Sequence, residues 1–164
     1  MHDSVRYSRH HGISALLVFV LLILSGCSVK LISSYDEATD KAVTALQRKV
    51  ETFLVALESQ EGLPECVYDN HKKFYEEAKV DISAIRVRAE AIPKNEITIK
   101  QVALLSNSLN LLEQLHQLKK KLSNEQGKLI CISKEEIAPL RTAFNASFTA
   151  ILKLELAKKR GEKK

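Results

Sequence analysis

Four stretches of this 164-residue chain repeat apolar residues at steps of three and four. That period places them along one side of an α-helix. Ala42, Leu46, Val50, Phe53 and Leu57 make the first stripe. It follows Ser34-Tyr35-Asp36-Glu37, which reads as a capping box starting near Ser34, and Gly62 and Pro64 end it. The second helix is expected from about Cys66 to Ile92, through Phe74, Ala78, Ile82, Ile85 and Ala89. Pro93 stops it, because the residue before a proline disfavours helix. The third begins near Asn95 to Thr98 and reaches Leu122, with Gly127 closing the segment. It carries Val102, Leu105, Leu109 and Leu112 on one line, and Leu104, Leu111, Leu115, Leu118 and Leu122 on another. So broad an apolar surface predicts the most buried helix, touching at least two neighbours. The fourth follows a second capping box, Ser133-Lys134-Glu135-Glu136, and turns Ile137, Leu140, Phe144, Phe148 and Ile151 inward. Pro139 lies past its first position and removes a backbone donor there. Short connections make consecutive helices antiparallel neighbours, so the expected fold is all-α, an up-down-up-down four-helix bundle.

The composition agrees. There is no tryptophan, aromatic content is 5%, and only 5 Gly and 3 Pro occur in the whole chain. The N-terminus differs from the rest. Arg6 and Arg9 precede an apolar run of about twelve residues, Ile13 to Leu24, interrupted by Ser14. A spanning helix needs about 20 apolar residues, so this run has the length of a signal-peptide core. Leu24-Ser25-Gly26-Cys27 completes it. The segment resembles the lipobox leader of a bacterial lipoprotein precursor, and the resemblance covers residues 1 to 28 only. It implies removal of a signal peptide, 1–26, and lipid on Cys27. The helical pattern then gives a tether over 27–33, a bundle over 34–160 and a basic tail over 161–164. Ser28, where an aspartate would mark inner-membrane retention, implies the periplasmic face of the outer membrane.

Losing Arg6, Arg9 and Asp3 with the leader leaves 23 Lys+Arg against 19 Asp+Glu. That excess is small and mostly terminal, and an exported protein rarely meets nucleic acid, so no nucleic-acid partner is expected. Two cysteines remain, Cys66 and Cys131. In an oxidising periplasm they are expected to pair. The topology allows it: Cys66 opens the second helix, Cys131 precedes the fourth, and those helices run parallel. Both cysteines then lie at one end of the bundle. The anchor enters at the other end, and the fourth helix returns toward it. Lys158, Lys159, Arg160, Lys163 and Lys164 would then lie near lipid headgroups.

Catalytic and metal chemistry finds little support. Glu113-x-x-His116 matches one element of a carboxylate-bridged metal bundle, but such sites need a second. The only other histidine after the leader is His71, and position 68 before it is Tyr. Cys66 with His71 is too sparse for zinc, which takes four ligands. No Gly-x-Ser-x-Gly elbow or glycine-rich phosphate loop occurs. Tyr68, Phe74 and Tyr75 with Lys72 and Lys73 are a candidate sticky patch near the disulfide end. The expected role is therefore not enzymatic and needs no cofactor or metal. It is an anchored, non-catalytic bundle that holds the membrane by lipid and binds another envelope protein in an accessory or assembly role. The alternative is a small-ligand-binding or sensing bundle. An exposed apolar patch would favour the first, and a pocket of convergent polar groups the second.

Overall fold

The computed structural model describes residues 32–162. The leader, Cys27, the tether before Ile32 and the last two lysines lie outside the described residues. Ile32–Lys164 forms one compact unit. Its helices are α1 (Glu37–Ser59), α2 (Lys72–Ala91), α3 (Glu96–Gln126) and α4 (Lys134–Glu162). Two single 3₁₀ turns, Pro64–Cys66 and Tyr68–His71, join α1 to α2. α1 and α3 each pack on both α2 and α4, so the four close into an up-down-up-down bundle. Val43, Leu46, Leu54, Ile85, Leu105 and Ile137 are among the fully covered side chains at its centre.

Helix starts depart from the sequence expectation in two places. α1 is capped by Asp36 rather than Ser34. The Asp36 carboxylate accepts from the Thr39 amide at 3.0 Å and the Thr39 hydroxyl at 2.6 Å. A carboxylate at an N-cap gains from the helix dipole as well as from the hydrogen bond, and the Arg88 guanidinium grips its far side with two bonds. α2 starts at Lys72, not Cys66. The stretch between is held as 3₁₀ turns because Cys66 is tied to Cys131 and its carbonyl to His116. The fourth start is as expected: the Glu136 amide donates to the Ser133 hydroxyl, and the Ser133 amide to the Glu136 carboxylate. Pro139 sits inside α4, five residues after its first residue, and is exposed. Gly127 ends α3 with φ 62°, a left-handed cap that glycine adopts without a Cβ clash.

The larger departure concerns α3. Its first line, with Val102, Leu105, Leu109 and Leu112, is buried. Leu104, Leu111 and Leu118, from its second line, are 51%, 59% and 49% exposed. A helix with two flanking neighbours has room to bury one line of leucines, and α3 carries two.

Candidate docking face

Three places in the bundle stand apart from its aliphatic core. At the distal end, Cys66 and Cys131 form a disulfide with Cα atoms 5.7 Å apart, joining the first connection to the third. Beside it lies an aromatic cluster. Phe53 and Phe74 stack at 3.6 Å between centroids, and Tyr75 is 1% exposed. The Tyr68 hydroxyl donates to Glu113 at 3.0 Å. Tyr75 turns inward and Tyr68 and Phe74 are partly buried against the core, so the patch expected from Tyr68, Phe74 and Tyr75 is presented to solvent only in part.

His116 sits at the centre of that cluster. Its Nε2 is 2.7 Å from the Cys66 carbonyl, and its Nδ1 is 2.8 Å from the Tyr75 hydroxyl. A carbonyl only accepts, so Nε2 bears the proton and Nδ1 accepts from Tyr75. Burial lowers the His116 pKa from its ordinary value, and it lowers that of His71 as well. Glu113, the other half of the Glu-x-x-His element, pairs with Lys79 at 2.5 Å. Among the described residues no group of His, Cys, Asp and Glu is placed to hold a metal ion.

At the proximal end, where the described chain begins, a buried polar network replaces the core. The Lys158 ammonium donates to Glu155 at 2.5 Å, Asn95 at 2.7 Å and Thr98 at 3.1 Å. Glu155 also accepts the Asp36 amide, and the Ser33 hydroxyl donates to Asn95. Ser33 is thus part of the folded base rather than of a loose tether. Lys158 is 4% exposed and cannot reach a headgroup, unlike the expectation from the tail. Lys159 instead stands over the Tyr35 ring at 4.8 Å. Glu155 and Lys158 were legible in principle, since they continue the inward step from Ile151 by four and then three. Their charge hid them.

The third place is the outer surface of α3 and α4. Ile97, Leu104, Leu111 and Leu118 fall in one line by sevens and are each about half exposed. At 1.5 Å per residue the line runs about 32 Å. Glu113 marks the side of α3 toward α2, through Lys79, and Lys119 the side toward α4, through its 2.6 Å pair with Glu136. The leucine line lies on the Lys119 side. On α4 the sevens from Glu136 give Ala143, Ala150 and Ala157, so small residues flank the leucines. Charge is missing from this surface. From Gln101 to Leu118 the only formal charge is Glu113, committed to α2, and from Ala138 to Leu152 it is Arg141, bonded to Glu51 and Glu58 of α1. The 20 residues of α2 hold nine charged side chains. Depletion of charge around half-exposed leucines resembles the composition of interface cores.

An open hollow between α2 and α3, lined by Lys79, Ser83, Arg86, Val102 and Ser106, offers less. Its two cations are already paired, with Glu113 and Glu90. Among the described residues no helix is long and apolar enough to cross a membrane. No known protein family, curated protein or solved structure matches the chain.

Proposed function

We propose that this protein is a lipid-anchored, non-catalytic lipoprotein of the bacterial envelope whose α3/α4 face docks another envelope protein. The observation that carries the reading is the charge-free line Ile97–Leu104–Leu111–Leu118, half exposed along a helix whose other line already fills the core. Side chains of this kind contribute about 25 cal/mol per Å² when covered, and among the described residues about half of each is left uncovered. The lipobox-like run ending at Cys27 supports the anchor, and Ser28 supports the outer membrane's periplasmic side. Several acyl chains on one residue give a stable attachment, each buried methylene contributing about 0.8 kcal/mol. The role is accessory: the bundle brings a helical surface to a partner at the membrane.

Two measurements on the full chain expressed in a Gram-negative host test this. Mass spectrometry of the mature protein should find Cys27 as the first residue, carrying lipid. Affinity isolation should recover a defined envelope protein with the native chain and lose it with Leu104→Asp plus Leu111→Asp. A bare thiol at Cys27 refutes the anchor. Equal recovery by the double variant refutes the docking face.

A further inference from the structure

The charges bordering the leucine line are unevenly distributed along it. Near the base, Lys100, Lys153 and Arg160 are exposed beside it, against Glu96. By sevens, Lys100 leads to Asn107, Gln114 and Lys121, and Ala146 leads to Lys153 and Arg160, so these cations flank the apolar surface on both helices. Near the disulfide end, Lys121 pairs with Glu125 at 3.8 Å and Lys119 with Glu136 at 2.6 Å, and exposed Glu135 stands close in sequence to exposed Lys128 and Lys134. The face is therefore positive at its proximal end and uncharged in the middle, while the cations bordering it at its distal end are paired with carboxylates.

From this asymmetry, and resting on the docking reading above, we infer the chemistry of the occupant. It is a single amphipathic helix of about four heptads, with apolar residues on its seam and Asp or Glu flanking the seam at one end. The acidic end lies beside Lys100, Lys153 and Arg160, toward the lipid anchor. A helix laid on an apolar surface presents its own anchors at i, i+3, i+4 and i+7, and the sevens of α3 offer it one apolar contact per heptad. A second copy of this chain fits less well. Two copies held in one membrane by short tethers point the same way, so their faces meet level for level. The positive end of one then opposes the positive end of the other, and like charges across an interface oppose association.

The test uses full-length protein in lipid nanodiscs and two synthetic 28-residue peptides with leucine seams. One has Glu flanking the seam in its first two heptads, the other Lys, and both carry a photo-crosslinker at that end. The Glu peptide is expected to bind at least tenfold tighter at low salt. Its crosslinks should map to the start of α3 or the end of α4, and its advantage should vanish at high salt. Lys100→Glu with Lys153→Glu should reverse the preference. Equal binding of both peptides, lost in Leu104→Asp plus Leu111→Asp, overturns the inference and leaves the docking face standing. Binding by neither peptide, or binding that survives those two substitutions, overturns the docking face as well. Sedimentation of the protein as a dimer that Leu111→Asp dissociates makes a second copy the occupant and overturns the inference.

Discussion

His116 shows what one polar side chain does inside this bundle. It is 1% exposed, bonded at both ring nitrogens, and ties α3 to α2 and to the backbone of a disulfide cysteine. Protonation would put a second proton on Nδ1, where the Tyr75 hydroxyl now donates. Its folded pKa is lowered by burial, so the unfolded chain binds the proton first. Stability is then complete above about pH 6.5, the ordinary histidine value, and falls as pH drops below it. Urea midpoints taken from pH 7.5 to pH 5 should decline, and His116→Gln should flatten much of that decline. His71, whose pKa is also lowered by burial, accounts for a remainder. A midpoint that rises on acidification would contradict the assignment of His116 as neutral. None of this was visible in sequence. Glu113-x-x-His116 draws attention as a metal element, whereas the partners of His116, Tyr75 and the Cys66 carbonyl, come from distant positions.

At the level of the helices, the sequence was most legible where one apolar line met one buried face. The stripes of α1, α2 and α4 fall where their periods put them. α3 touches two neighbours as expected, but periodicity overstates its burial, because it reports which residues share a side, not how many sides the neighbours cover. The chain between Gly62 and Lys72 was misread for a different reason: its turns are imposed by Cys66 and His116 rather than by local preference. Adjacent leucines in α3 separate the two lines directly. Leu112 is fully buried, and Leu112→Ala should cost about 2–5 kcal/mol in a denaturant titration. Leu111 is 59% exposed, and Leu111→Ala should change stability by no more than about 0.5 kcal/mol. Comparable losses at both positions would mean that Leu111 belongs to the core, and the docking face would disappear.

Across the whole molecule, the two ends are fastened by different means. The distal end relies on the Cys66–Cys131 bond, which closes a loop across 65 residues of sequence. In the chain-entropy account such a closure stabilises by about 4 kcal/mol. Cys66→Ala with Cys131→Ala should therefore lower the unfolding free energy by about that much while leaving the helical circular dichroism intact. The proximal end relies on Lys158, Glu155, Asn95, Thr98 and Ser33, which fix the first described residues against the ends of α3 and α4. A bundle fastened at both ends holds α3 and α4, and the surface they share, in a fixed arrangement. The most direct measurement is a position scan with a photo-crosslinking amino acid placed singly in the full chain in living cells. Leu104, Leu111 and Leu118 are compared with Val55, Val80 and Val87, exposed residues of α1 and α2. Adducts to one discrete envelope protein at the three leucines, with none at the three valines, is the expected result. Adducts spread evenly over all six positions, or confined to the valines, would contradict it.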